Sequence, residues 1–177
     1  MSDFFELVQR RQSCRQFSDK PVEREKLVKI LEAARLAPSG CNSQPWYFIV
    51  VESPDKVAEV AQTTMQLGLN EYIGQAKAII VIVEEHAHLI PKVAKMVDSQ
   101  VFAKNDLGAA TLSLCLAAES LGLGTCIVGM FDRPKLRELL DISDDKPIHM
   151  VVAVGYAASD KVRNKQRKSL EEISRFV

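Results

Sequence analysis

An unbroken apolar run at positions 78–83, Ala-Ile-Ile-Val-Ile-Val, limits this chain's possible folds more than any other feature. The run lacks the polar alternation of a half-exposed strand, so it predicts a central strand buried on both faces. Helical and strand-like segments alternate around it. Any fold for this chain must therefore place other elements around that strand.

Periodicity and turn residues predict the remaining elements. One apolar stripe at helical spacing contains Leu27, Ile30, Leu31 and Ala34, and another contains Leu107, Ala110, Leu114 and Ala117. Gly122 is expected to end the longest helix. The predicted helices are residues 3–10, 22–37, 55–67, 96–121 and 134–140, and the predicted strands are 46–51, 78–83, 125–129 and 148–155. Residues 68–74 and 85–95 are the least structured stretches, and either could cover a site.

Length and composition favour one domain over residues 1–177. The 23 basic residues balance 23 acidic ones, which argues against nucleic-acid binding. No apolar stretch approaches the roughly 20 residues of a membrane span. The acidic start is unlike a signal peptide, so a cytoplasmic location is expected.

Residues 38–46, Pro-Ser-Gly-Cys-Asn-Ser-Gln-Pro-Trp, form a polar loop between a helix and a strand. Two prolines stiffen it. Uncharged hydrogen-bonding groups on a stiff loop suit a planar, heteroatom-rich ligand such as a flavin ring or a base. The alternative is a loop that satisfies only its own polar groups, since serine, asparagine and glycine are ordinary loop residues.

Two basic clusters lie near the ends of the sequence. In the first, Arg11 and Arg15 share a face if the segment is helical, and Arg11, Ser13 and Arg15 share one if it is extended. Either arrangement could direct guanidinium groups at one phosphate. The second cluster contains Lys161, Arg163, Lys165, Arg167 and Lys168. A solvated helix end and a solvated tail are the alternatives.

The cysteines and histidines give weaker signals. Cys14, Cys41, Cys115 and Cys126 have no Cys-x-x-Cys spacing, so free thiols are expected. Cys115 and Cys126 are expected in the core, whereas Cys14 and Cys41 could flank a ligand. Residues 84–88, Glu-Glu-His-Ala-His, do not have the spacing of a helical metal site, and a solvated turn is expected there.

With these segments taken together, the chain resembles the FMN-dependent nitroreductase family over nearly its full length. The resemblance rests on Arg-x-Ser-x-Arg-x-Phe at residues 11–17 and on the loop at residues 38–46, which matches the family's Pro-Ser-x-x-Asn-x-Gln-Pro-Trp. A glycine-punctuated segment at 121–130 and the basic pair Lys165 and Arg167 follow in the family's order.

The resemblance implies an α+β fold with a central mixed or antiparallel sheet flanked by helices, in an intertwined homodimer with FMN at the interface. The loop would come from the partner subunit, and the Gly129 N–H would face flavin N5. The implied FMN-binding residues are Arg11, Gln12, Ser13, Arg15, Pro38, Ser39, Gly40, Asn42, Gln44, Asn70, Ile127, Val128, Gly129, Lys165 and Arg167. Many family members have a lysine soon after the residue matching Asn70, and here Glu71, Tyr72, Ile73 and Gly74 stand in its place.

The implied activity is NAD(P)H-dependent reduction of nitroaromatics, quinones or related small-molecule acceptors, in a ping-pong scheme. The flavin would carry the hydride, so no catalytic side chain and no metal are predicted. The alternatives are a reductive dehalogenase or flavin-fragmenting enzyme on the same scaffold, and a non-catalytic flavin-binding sensor.

Overall fold

A computed structural model of the chain describes residues 3–177. The strands are β1 (Trp46–Val51), β2 (Ala78–Glu84), β3 (Gly124–Val128) and β4 (Ile148–Gly155). The helices are α1 (Phe4–Arg10), α2 (Arg24–Arg35), α3 (Pro54–Thr64), α4 (Pro91–Ala94), α5 (Gln100–Ser120), α6 (Arg133–Leu139) and α7 (Leu170–Ile173). Within the described residues, no helix is long and apolar enough to cross a bilayer.

The strands form an antiparallel sheet in the order β1-β2-β4-β3 across residues 3–177. Strand β2 is central, and all its residues are buried, as its apolar run predicts. Alternate side chains enter two separate cores. Ile79 and Val81 join the core beneath α3 and α6, while Ile80 and Ile82 join the core beneath α2 and α5. The predicted α+β fold is confirmed.

Most predicted elements are present, with different ends. Helix α5 starts at Gln100 rather than at residue 96, with Ser99 at the N-cap position, and the Asp98 carboxylate accepts a hydrogen bond from the Gln100 N–H, 2.9 Å away. Helix α3 ends at Thr64 rather than at residue 67, because Leu67 has a φ of 55°. The remaining ends match the prediction or differ from it by one or two residues, and Gly122, with a φ of 75°, follows α5 as expected.

Two stretches expected to be irregular are more ordered than the sequence indicates. Residues Glu71–Gln75 form a 3-10 helix, and Ile73 within it is fully buried. The predicted solvated turn at residues 84–88 is wrong for two of its members. Glu84 belongs to β2 and is buried, and Ala87 is buried as well.

Candidate functional site

The segment after α1 is extended, which decides between the two geometries open at the sequence level. Ser13 bridges Thr125 in parallel, and the Cys14 N–H donates to the Thr125 carbonyl at 2.8 Å. The segment therefore lies along the outer edge of β3. Arg11, Ser13 and Arg15 alternate with Cys14, so they share the face opposite to it.

Cys14 is a core residue that also lines the cleft beside Ser13 and Arg15, so the interpretation that it flanks a ligand stays a prediction. Its side chain is buried in the core and packs against Gly124, where a Cβ atom would lie 2.8 Å from the Cys14 Sγ. Burial raises the pKa of the Cys14 thiol. Cys115 and Cys126 are buried as expected, Cys41 is exposed, and all four thiols are free.

The C-terminal segment pairs with this N-terminal segment. The Gln12 side chain donates to the Lys161 carbonyl at 2.9 Å, and the Arg163 guanidinium donates to the Ser13 carbonyl at 2.8 Å. The Lys165 ammonium donates to the Arg11 carbonyl at 2.8 Å and to the carbonyls of Val8 and Gln9. The two ends of the described chain therefore meet at one place, outside β3.

We call the basic side chains on these two paired segments the terminal cation cluster: Arg11, Arg15, Arg163, Lys165 and Arg167. No acidic side chain in residues 3–177 forms a salt bridge with any of them, whereas neighbouring Arg10 pairs with Glu119 at 3.3 Å. Burial, and then the charges of Arg11 and Arg167, lower the pKa of Lys165. Glu119 opposes this shift only in part, so the cluster holds like charges together with little compensation from the described part of the chain.

Arg163 is a member that the resemblance did not single out. Its signal is present in the sequence, because Lys161, Arg163, Lys165 and Arg167 recur at every second position, the spacing of one face of an extended segment. Arg167 is exposed and bonds only the adjacent Gln166 carbonyl among its described neighbours. It lies on the paired segment but is less fixed than Lys165.

A cleft of about 450 Å³ lies between the N-terminal segment, the turn before β3 and residues 159–163. Arg10, Gln12, Ser13, Arg15, Glu119 and Arg163 are among its lining residues. Arg11, Lys165 and Arg167 are not. The cleft therefore borders the terminal cation cluster without enclosing it, and much of the cluster faces open solvent in the single chain.

The polar loop at residues 38–46 is held in an unusual backbone conformation. Cys41, Asn42 and Gln44 all have φ between 50° and 55°. The Ser39 hydroxyl accepts from the Gln44 N–H at 3.0 Å, and Asp106 of α5 accepts from the Gly40 N–H at 3.0 Å. The loop thus satisfies part of its own backbone, as the alternative interpretation expects, while the side chains of Asn42 and Gln44 remain exposed.

Gly40 and Ser43 show how tightly the loop is placed. A Cβ at position 40 would approach the Phe102 Cβ to 3.1 Å, so Phe102 would have to shift by a few tenths of an ångström. The Ser43 hydroxyl is buried and has no hydrogen-bond partner in the part of the chain described. A rigid loop with exposed amides can bind a ligand without first losing much conformational entropy.

The loop and the terminal cation cluster lie at opposite ends of α5. The loop is anchored at Asp106, and α1 is tied to Glu119 through Arg10. At 1.5 Å per residue, these anchors are about 20 Å apart along the helix. A single chain therefore does not bring the polar loop and the terminal cation cluster, the two predicted parts of the site, together.

Tyr72 joins two of the predicted site residues to β3. Its phenol donates to Asn70 Oδ1 at 2.9 Å and lies 3.6 Å from the Cys126 sulfur, and Arg15 stands over its ring. Ile127, next in β3, is exposed, Val128 is buried, and Gly129 is exposed. The structure therefore places Arg15 and Asn70 together beside Cys126, and Ile127, Val128 and Gly129 follow Cys126 in the chain.

The model of the nitroreductase family matches residues 8–156. The chain belongs to the nitroreductase family. It is 34% identical over 166 residues to an Archaeoglobus fulgidus protein whose name pairs NADH dehydrogenase with NAD(P)H nitroreductase, covering 91% of this chain and 89% of that protein. An iodotyrosine deiodinase of Nematostella vectensis is 29% identical over 199 residues, covering 97% of this chain and 74% of the deiodinase.

Solved structures of this family share the fold. A Streptococcus pneumoniae nitroreductase family protein superposes with a TM-score of 0.86 at 26% identity, covering 99% of this chain and all of that chain. An Exiguobacterium sibiricum protein, solved in complex with FMN, superposes with a TM-score of 0.84 at 22% identity over 100% of this chain and 98% of its own. At 22% identity, the similarity to the Exiguobacterium sibiricum protein shows only that the two chains share a fold.

Proposed function

We propose that this nitroreductase family member is an FMN-dependent oxidoreductase that uses NAD(P)H to reduce nitroaromatics, quinones or related small acceptors. The observation that carries the proposal is the terminal cation cluster, in which two distant segments bring guanidinium and ammonium groups together, none of them in a salt bridge with an acidic side chain among the described residues. A phosphate dianion would neutralise this charge and accept several charge-assisted hydrogen bonds.

The residues present fit FMN at its phosphate and at its ring. Arg11, Arg15 and Lys165, with the Ser13 hydroxyl, would hold the phosphate, and Gln12 and Arg167 would lie beside it. Asn70 would bond the pyrimidine edge, and Gly129 would offer its N–H to the ring. Bound FMN would supply the hydride carrier. The chain's residues would fix its position and provide hydrogen-bond donors for negative charge on the ring.

We also propose that the site is completed by a second copy of the chain. Pro38, Ser39, Gly40, Asn42 and Gln44 are too far along α5 to reach the terminal cation cluster of their own chain. An exposed face of α5 carries Val101 and Leu112 with Gly108 between them, at helical spacing. A small residue between two apolar ones would let two copies of α5 approach closely. The partner's loop would then meet this chain's cations.

No side chain is assigned as a general acid or base. His149 bonds the buried Glu84 carboxylate, while His86 and His88 lie in the segment after β2, far along the sheet from the terminal cation cluster. NAD(P)H and the acceptor would occupy one open site in turn, which is the ping-pong scheme. We place this activity in the cytoplasm, where NAD(P)H is available and free thiols persist.

The decisive experiment replaces Arg11 and Arg15 with alanine and measures FMN affinity. Each lost charge-assisted bond should weaken binding by about 1.5–3 kcal/mol, so the double variant should bind FMN roughly 10²–10⁴-fold more weakly. Arg10→Ala is the matched control, because Arg10 is adjacent but already paired with Glu119. Unchanged FMN affinity in the double variant would contradict the proposal.

A second candidate activity is reductive dehalogenation, favoured by the 29% identity to an iodotyrosine deiodinase. NAD(P)H consumption can be followed with menadione, nitrofurazone and 3-iodotyrosine, using each nucleotide separately. Turnover with the quinone and the nitro compound supports the first proposal. Turnover with the iodinated phenol alone supports the second, and bound FMN without turnover supports a flavin-binding sensor.

A further inference from the structure

Tyr72 lies where the predicted site residues of three separate segments meet. Its hydroxyl donates to Asn70 Oδ1 at 2.9 Å, and its other polar neighbour is the Cys126 sulfur of β3 at 3.6 Å. The Arg15 guanidinium carbon is 5.9 Å from the centre of the Tyr72 ring, within the range of a cation–π contact. Among residues 3–177, no other side chain is shown to contact Asn70, Cys126 and Arg15 together.

The backbone around Tyr72 is fixed on both sides. Asn70 has a φ of 59°, and its amide nitrogen donates to the Thr64 carbonyl at 3.2 Å. Ile73 is fully buried, and Gln75 at the end of the same 3-10 helix accepts from the Phe17 N–H at 3.1 Å. The short helix therefore also holds the N-terminal segment that carries Arg15.

The hydrogen bonds to Asn70 determine which way its amide points. A phenol has one hydrogen to donate, and here it goes to Oδ1, so the nitrogen is the atom that faces Thr64. One N–H and one oxygen lone pair of Asn70 are then left for a ligand. A donor beside an acceptor is the complement of a cyclic imide, the group at the pyrimidine edge of an isoalloxazine ring.

Tyr72 stays protonated while it makes this bond. Burial raises the pKa of the phenol, the neighbouring Cys126 raises it further, and Arg15 opposes both. At neutral pH the hydroxyl is therefore a donor, and the Cys126 thiol can donate to the phenol oxygen in turn. The chain of bonds runs from β3 through Tyr72 to Asn70.

We propose that Tyr72 is a positioning residue that fixes Asn70 and Arg15 relative to each other, so that one rigid unit contacts both the imide edge and the phosphate of the ligand. The inference rests on the proposed binding of FMN. It assigns this task to the side chain that stands near the place where many family members have a lysine.

A double-mutant cycle tests the proposal. FMN dissociation constants are measured by flavin fluorescence for the wild type, Tyr72→Phe, Asn70→Ala and the double variant. We expect Tyr72→Phe and Asn70→Ala each to weaken FMN binding about tenfold, and the double variant to be little worse than either, because the phenol acts through Asn70. Tyr47→Phe is the matched control, since Tyr47 is exposed on β1.

Riboflavin, which lacks the phosphate, separates positioning from general loosening. If Tyr72 sets the spacing between two contacts, Tyr72→Leu, which also removes the ring beneath Arg15, should weaken FMN binding more than riboflavin binding. Independent, additive effects of Tyr72→Phe and Asn70→Ala, or equal losses of both ligands in Tyr72→Leu, would overturn the proposal. If Tyr72→Phe does not fold, Cys126→Ala takes its place in the experiment. Cys126→Ala should bind FMN about threefold more weakly than the wild type. Unchanged FMN affinity in Cys126→Ala would also overturn the proposal.

The outcome for the wild type separates this inference from the proposed function. A wild-type protein that binds no FMN overturns both. A wild type that binds FMN, with Tyr72→Phe binding it equally well, overturns only the role of Tyr72.

Discussion

Gly124 and Cys14 are in contact where the N-terminal segment runs beside β3. A Cβ on residue 124 would lie 2.8 Å from both Cβ and Sγ of Cys14, and Cys14 cannot move away freely because its N–H is bonded to Thr125. A Cβ on residue 155 would likewise lie 2.8 Å from the Phe17 ring. The glycines of these two strands thus allow the segment that carries Arg11 and Arg15 to lie flat on the sheet.

Gly124→Ala should therefore lower the free energy of unfolding by roughly 1–3 kcal/mol, measured by urea denaturation. Pairing it with Cys14→Gly removes both atoms that the new methyl group would meet. The double variant should be more stable than the sum of the two single effects predicts. Simple additivity would mean that the close approach is not the source of the effect.

Lys165 gives the apoprotein a pH dependence whose sign follows from its lowered pKa. Between that pKa and the ordinary lysine value of about 10.4, the unfolded chain binds more protons than the folded one. Stability therefore rises with pH in this alkaline window. Relative to Lys165→Met, the wild-type apoprotein should gain stability as the pH rises toward the ordinary lysine value of about 10.4, as followed by urea denaturation. A difference in unfolding free energy between wild type and Lys165→Met that stays constant with pH would contradict this prediction.

At the scale of elements, Gln100 joins the start of α5 to the end of β2. Its amide donates to the Glu84 carboxylate and to the Glu85 carbonyl, and its oxygen accepts from the Ala87 N–H at 2.8 Å. Glu84 also bonds His149 of β4. The segment after β2 is thereby attached to the sheet at a buried carboxylate.

Gln100→Ala should release that attachment. It leaves the Ala87 N–H without its partner and the Glu84 carboxylate with one fewer donor, so the free energy of unfolding should fall by about 1–3 kcal/mol. Hydrogen exchange at Ala87 should accelerate. Ser99→Ala is the control, because its hydroxyl only approaches the Gln100 oxygen at 3.4 Å. Equal exchange rates in both variants would show that Gln100 does not hold the segment.

The elements themselves were predictable where one physical signal dominated. β1 and β4 have the predicted ends, and β2 is central because its six-residue apolar run leaves no other place for it. The 3-10 helix at Glu71–Gln75 was not predicted. It depends on the burial of Ile73 and on the bond from Phe17 to Gln75, which are tertiary contacts that no local pattern reveals.

At the scale of the whole molecule, a site completed by two chains makes a prediction about mixed dimers. One chain carries Arg11→Ala and Arg15→Ala, and the other carries Asn42→Ala and Gln44→Ala. If each site combines the cations of one chain with the loop of the other, a mixed dimer has one site with both defects and one with neither. It should bind about half the wild-type amount of FMN, although neither altered chain binds well alone.

The measurement is the FMN content of mixed dimers isolated through two different affinity tags. Homodimers of each altered chain are the controls. Mixed dimers that bind no more FMN than these controls would show that each site is built within one chain.

The parts of the site were visible in the sequence, but their arrangement was only partly so. The pairing of the two terminal segments depends on side chain to backbone bonds from Gln12, Arg163 and Lys165, which spacing alone does not specify. Tyr72 carried no signal, since a single aromatic residue between Glu71 and Ile73 fits many roles. The distance along α5 between the polar loop and the terminal cation cluster follows from the bond between Gly40 and Asp106, which the sequence does not reveal.

The bond from Gln12 to Lys161 joins positions 149 apart in the sequence. Under the proposed function, the cations near the N-terminus would therefore wait for their partners until residue 165 has left the ribosome. A shorter nascent or stalled chain would lack half of the terminal cation cluster and would take up little of the cofactor.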